Sequence, residues 1–245
     1  MVSLLPFPDP PIPPPSIIVP IRALSTQFPR FNILYLEYPP GSAGEDIAEG
    51  TPVHDSAFPE SRLVSINVGL PRATGYRGKQ IQTGIYKAPI AGPVLVRRLN
   101  HDGDAQADLT VHGGVDKAVY LYAAENYDLW QSELDHEVPY GQFGENLTTD
   151  GLLEPGVHVG DELEIGEVVL QVTQPRFPCF KLGIKMGSQR FLVQFLRSGR
   201  SGFYCRVLQE GRIEAGQPIR LLARSLDQPT IAELVTDFRR EHGVA

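Results

Sequence analysis

Beyond Arg62, short apolar runs alternate with glycine, proline and polar turn residues, the pattern of a β-rich domain. Strands are expected over Leu63 to Val68, Gln80 to Lys87, Val94 to Leu99, Ala118 to Tyr122, Glu162 to Ile165, Val168 to Thr173, Phe203 to Leu208 and Pro218 to Leu222. Such spacing predicts a barrel or a sandwich. The two runs meeting at Gly166 read as an antiparallel hairpin, because glycine tolerates the positive φ of a tight turn. Helical spacing interrupts the strands twice. Ala123, Tyr127, Trp130 and Leu134 share one face, as do Phe191, Leu192, Phe195 and Leu196, and both faces are expected to pack on the core. Thr230 and Glu233 form a capping-box pattern before Ile231, Leu234, Val235 and Phe238, so a short amphipathic helix should begin near Pro229.

The chain ahead of this pattern is different. Pro8, Pro10, Pro11, Pro13 and Pro14 remove backbone donors and favour an extended, solvated segment, and residues 1–61 read as a proline-rich extension and linker. Residues 62–223 make the barrel domain, and residues 224–245 a short helical tail. With 245 residues, 42% of them hydrophobic, one substantial core is the expectation. A formal charge of −7 argues against a polyanion as partner, so neither nucleic acid nor membrane is expected, while a local basic pocket could still hold a small anion. Two cysteines are too few for a disulfide framework, no apolar run reads as a signal peptide or a span, and a reducing, cytoplasmic location fits best.

Chemistry concentrates in a few loops. In Gln174-Pro175-Arg176-Phe177-Pro178-Cys179-Phe180-Lys181-Leu182, two prolines restrict the backbone around a cysteine flanked by cations. Arg176 and Lys181 would favour the thiolate, which is the nucleophile and soft-metal ligand, if they approach it. Taken alone, the segment fits a buried cysteine beside surface charges at least as well. Cys205 sits in an apolar run and reads as packing. His112, followed by Gly113 and Gly114 and then Lys117, could form a pocket rim or an ordinary glycine turn. Asn146 lies in a glycine- and amide-rich loop, suited to a heterocycle or to any irregular connection. Lys79, Thr83 and Lys87 share one face if their strand is regular, either to grip a phosphate or simply as a solvated face. Arg206 follows a small-residue loop and could complete an anion site.

In this order, the segments GKQIQTGIYK, DLTVHGGVDKAVYLY, FGENLTTDGL, GDELEIGEVVLQVTQPRFPCFKL and SGRSGFYCRVLQEG resemble the MOSC domain, named after the C-terminal part of molybdenum-cofactor sulfurase. The likeness is closest to the stand-alone YiiM-type branch and runs from about Arg62 to Leu222. It implies a mainly β fold, a distorted barrel with peripheral helices, to which the short C-terminal helix is added. It also implies a molybdenum-pterin cofactor with Cys179 as metal ligand and catalytic centre, and Lys79, Thr83, Lys87, His112, Asn146, Arg176, Lys181 and Arg206 lining or supporting its pocket. Pyridoxal phosphate is not expected.

The activity implied is reduction of N-hydroxylated bases or related compounds, with electrons from a separate reductase. Three alternatives stay open: a cofactor or sulfur carrier with a persulfide on Cys179, a cysteine hydrolase using Cys179 and His112, and an inactive barrel. The proline-rich start and the short tail after Leu222 depart from the familiar pattern and bear on how an electron donor would dock.

Overall fold

Every residue of strand β6 (Val119–Ala123) is buried, because each of its two faces meets a different core. Val119 and Leu121 point into the barrel, whereas Tyr120 and Tyr122 point outward into an aromatic layer under the helices. The structure, a computed structural model, describes residues 58–107 and 113–244. Residues 1–57 of the proline-rich extension and linker, and His112, lie outside the described residues.

The barrel is a ring of seven strands. From β1 (Ser61–Val68) it runs through β7 (Leu147–Asp150), β6, β10 (Phe203–Gln209), β9 (Val168–Pro175), β8 (Glu162–Ile165) and β12 (Pro218–Ala223), and closes where Ser61 pairs with Ile219. All neighbours are antiparallel except β6 and β7. A parallel pair needs a crossover, and helix α1 (Ala124–Glu133) lies on it, burying Tyr127 and Trp130 against the aromatic layer. The interior is filled by alternate residues such as Leu163, Ile165, Leu170, Phe203 and Val207. Cys205 is one of them, fully buried, and burial pushes its thiol pKa well up, in keeping with a packing role.

Outside the ring, β4 (Ala88–Ile90) pairs with β1, and β5 (Val94–Val96) pairs with β11 (Gly211–Ile213). Strands β2 (Arg72–Tyr76) and β3 (Lys79–Thr83) make a separate two-stranded ribbon. Helices α2 (Phe180–Lys185) and α3 (Phe191–Ser198) follow β9, and α4 (Ile231–Glu241) starts at Thr230 with both capping-box hydrogen bonds formed. The β8–β9 hairpin turns at Gly166 with φ 57°. Among the described residues no helix is long and apolar enough to cross a membrane.

Two expected strands are shorter than the apolar runs. The run from Gln80 to Lys87 stops at Thr83, because Gly84 brings its backbone against Ala105, where a Cβ would stand 2.5 Å from the carbonyl oxygen. Lys87 therefore lies beyond the strand and not on its regular face. The run from Val94 ends at Val96, where Arg97 and Asn100 bond each other's backbone in a turn. The sequence pattern missed β2, β4, β7, β11 and α2.

Candidate functional site

The segment from Arg176 to Cys179 is held at three points. Arg176 N donates to Gly202 O at 3.2 Å, Phe177 stacks on Phe238 of α4 with ring centroids 4.0 Å apart, and Cys179 O accepts from Leu182 N at 2.9 Å as α2 begins. This fixes the partly exposed Cys179 on the wall of a half-open cavity.

Thr83, Lys87, Asn146, Arg176, Cys179 and Lys181, drawn from distant parts of the chain, all line this cavity. Asp104, Gln106, Lys117, Tyr120 and Tyr204 line it too. Lys79 stands outside it at the far end of the ribbon, and Arg206 does not line it either but pairs with Asp116 Oδ1 at 2.7 Å, next in sequence to the lining residue Lys117. His112 cannot be placed, lying outside the described residues.

The charges are unbalanced. Among the described residues, Lys87, Lys117, Arg176 and Lys181 face the cavity against the single carboxylate of Asp104, which is itself engaged. Asp104 Oδ1 pairs with Lys87 Nζ and accepts from Gly69 N at 2.9 Å, and Oδ2 accepts from Asn146 Nδ2 at 2.9 Å. Burial lowers the Lys87 pKa while Asp104 opposes the shift. Burial also lowers that of Lys117, with Asp116 opposing.

Arg176 is the deepest cation, 5% exposed, with its guanidinium 5.4 Å from the Tyr120 ring centroid and 5.5 Å from that of Phe195. One nitrogen, Nη2, reaches Phe143 O at 3.5 Å, while Nη1 is buried with no hydrogen-bond partner. Burial opposes its charge, the surrounding phenols and Cys179 favour it, and the net shift of its pKa is upward. Tyr204 is pushed up by burial against the pull of Arg176, so its hydroxyl keeps its proton at neutral pH.

Behind the wall, fully buried Glu145 accepts from Gly141 N at 2.6 Å, Phe143 N at 3.2 Å and Thr148 Oγ1 at 3.0 Å, and from the Tyr127 hydroxyl. Lys185 of α2 donates to Ile85 O at 3.0 Å and Gly141 O at 2.6 Å, and burial lowers its pKa to about 8. These groups brace the loops that carry Asn146 and Cys179.

Among the described residues no group of three His, Cys, Asp or Glu side chains could hold a metal ion by itself. The cations around the thiol suit an anionic carrier that brings metal ligands of its own. The unpartnered Nη1 of Arg176 supplies a buried donor for such a group. The donor set thus fits a cofactor bearing phosphate and its own metal ligands.

Fold and site together define a small closed barrel with a cationic cavity and one thiol on its wall. Comparison with known proteins takes this further. The MOSC domain matches residues 108–220. An uncharacterized protein, YflK of Bacillus subtilis, is 46% identical over 162 residues, spanning 66% of this chain and 73% of its own length. The crystal structure of YiiM from Geobacillus stearothermophilus superposes with a TM-score of 0.62 at 35% identity, covering 74% of this chain and 85% of that one. A protein of Gibberella moniliformis named reductase is 38% identical over 154 residues, which make up 61% of this chain but 27% of the relative. The chain belongs to the MOSC domain family and is of the YiiM type.

The residues that sequence reasoning missed are Asp104, Gln106, Tyr120 and Tyr204. Tyr204 alternates with the core residues Phe203 and Cys205, so the strand period carries the signal that it faces out of the barrel. Asp104 lies in an aperiodic stretch that carries none.

Proposed function

We propose that this chain binds molybdenum cofactor in the cavity beside Cys179 and reduces N-hydroxylated bases or related compounds, with electrons from a separate donor protein. The observation that carries this reading is the pairing of one wall thiol with an excess of cations, including a buried arginine nitrogen that has no acceptor. The relative named reductase supports the same class of chemistry.

When bound, the cofactor supplies a metal that exchanges electrons in pairs. Net reduction of an N-hydroxylamine consumes two electrons and two protons and releases the amine and water. The chain's own residues do the rest. Arg176, Lys117 and Lys181 hold anionic groups, and Asp104 pairs with Lys87 at depth. Cys179 is the soft ligand, and Tyr204 Oη presents a hydroxyl donor. Burial makes Lys117 Nζ readier than a solvated lysine to release a proton into the cavity.

The test is expression in a host that makes molybdenum cofactor, with molybdenum and pterin measured per protein for wild type and Cys179→Ser. Stoichiometric metal and pterin in the wild type, metal lost from a folded variant, and turnover of an N-hydroxylated base with a supplied donor are expected. A folded, metal-loaded, fully active Cys179→Ser protein would refute the ligand assignment. Labile sulfur on Cys179 without turnover would support the carrier function instead.

A further inference from the structure

Between Glu60 and Asp102 the sequence contains no acidic residue, although the chain carries a formal charge of −7. Three cations of that stretch, Arg72, Arg77 and Lys79, belong to the β2–β3 ribbon, and none forms an ion pair among the described residues. The register pairs Arg72 with Thr83, Thr74 with Ile81 and Tyr76 with Lys79, so these side chains share one face of the ribbon.

That face turns toward the site. Thr83 lines the cavity, Arg72 lies 3.5 Å over the Tyr86 ring, Thr74 Oγ1 is 3.3 Å from the Tyr86 hydroxyl, and the Tyr76 ring lies 5.0 Å from that of Phe180. Phe180 is the residue next to Cys179. At the ribbon's tip, the Arg77 guanidinium is 5.3 Å from the Tyr76 ring centroid, and Lys79 is the direct cross-strand neighbour of Tyr76. The tip turns through Arg77 at φ 49° and Gly78 at φ 74°. A left-handed φ favours glycine or asparagine, so arginine is held there at a conformational cost. From Thr83 to Lys79 is four residues of strand, roughly 13 Å.

A half-buried aromatic pair that includes the residue next to Cys179, with two cations flanking Tyr76 at the ribbon's tip, roughly 13 Å from the cavity-lining Thr83, suits a flat heterocycle joined to a phosphate. We propose that the ribbon face and Phe180 form an outer subsite for a nucleoside phosphate, so that the compound reduced in the cavity is a nucleotide and not a bare base. This rests on the reductase reading for its chemistry, but not for its binding. The heterocycle lies along Tyr76 and Phe180, its exocyclic nitrogen is directed to the cavity, and Arg77 and Lys79 take the phosphate.

The experiment is calorimetric binding of adenosine and of adenosine 5′-monophosphate to the full chain, comparing wild type with Arg77→Gly, Lys79→Gln and Lys117→Ala. Molybdenum content is measured on the same preparations, so failure to load cofactor is seen separately from failure to bind nucleotide. The monophosphate is expected to bind at least tenfold more tightly than adenosine in wild type. That preference should fall severalfold in Arg77→Gly and in Lys79→Gln, and persist in Lys117→Ala. Glycine relieves the left-handed φ, so Arg77→Gly should melt no lower than wild type while losing the preference, which a purely structural role would not produce. Equal affinity for the two probes, or a preference that survives at the ribbon and vanishes only in Lys117→Ala, would overturn the assignment.

Discussion

Asn146 donates from Nδ2 to Asp104 Oδ2 at 2.9 Å while its Oδ1 accepts the Tyr120 amide at 3.0 Å, so one side chain ties the buried cavity carboxylate of Asp104 to strand β6. Both bonds are buried. Asn146→Ala leaves an amide and a carboxylate oxygen without partners, which should cost about 2–4 kcal/mol. Denaturant midpoints at unchanged m-value will show this. Asn146→Asp should cost more, because it sets a second carboxylate against Asp104.

Asp104→Asn should be among the most damaging single changes, since it leaves the buried Lys87 ammonium without its counter-charge. Breaking such a pair costs about 3–5 kcal/mol. The double variant Asp104→Asn with Lys87→Met should recover part of that loss, as a thermodynamic cycle will measure.

His101 gives the chain an acid sensitivity of defined sign. It is 2% exposed, neither ring nitrogen has a hydrogen-bond partner, and burial, with Lys87 adding, pushes its pKa down to about 4 from 6.5. The unfolded state therefore binds the extra proton between these values, and stability rises with pH across that window. Falling from pH 6.5 to about 4 should cost about 3 kcal/mol from this residue. Glu145 works in the opposite sense, its pKa raised by burial. The proper measurement is thus the difference between wild type and His101→Phe, whose stability should fall less steeply on acidification.

Two glycines with positive φ should respond very differently to alanine. At Gly202, φ 62°, a Cβ would stand 2.4 Å from Leu121 O and under 3 Å from the rings of Tyr120 and Tyr122. At Gly78, φ 74°, nothing lies within 4 Å. Gly202→Ala should cost more than about 3 kcal/mol and Gly78→Ala about 1 kcal/mol, as thermal melts will show.

Cys205→Ser should separate packing from chemistry. A hydroxyl in the barrel interior costs about 1–3 kcal/mol, yet the cavity wall is untouched, so ligand content should equal that of wild type. Cys179→Ser, on a partly exposed wall, should leave the melting point near its wild-type value.

Where strands alternate cleanly the sequence was readable. Leu163 and Ile165, then Val168, Leu170 and Val172, announce the hairpin around Gly166, and it forms there. The missed strands are short, and β2, with Arg72, Ala73, Thr74 and Gly75, has almost no apolar period because it belongs to an exposed ribbon. In the site, motif order drew attention to Cys179, Arg176, Lys87 and Asn146, which the fold gathers around one cavity. Asp104 escaped notice because its importance is entirely tertiary: nothing in a glycine- and aspartate-rich loop shows which carboxylate will be buried against a lysine 17 residues away. Arg206 was visible as a cation, but its partner Asp116 was not.

The stacking of Phe238 on Phe177 gives helix α4 a hold on the segment that carries Arg176 and Cys179. Helix α4 contributes no strand to the barrel, and the ring closes through β1 and β12 without it. Its loss would leave the strand pairing of the ring in place, but would strip Ile231 from the barrel core and its bond to Val157 O, and slacken the tether on Arg176 and Cys179. Helix α4 acts as a guy-rope for a thiol some 60 residues upstream.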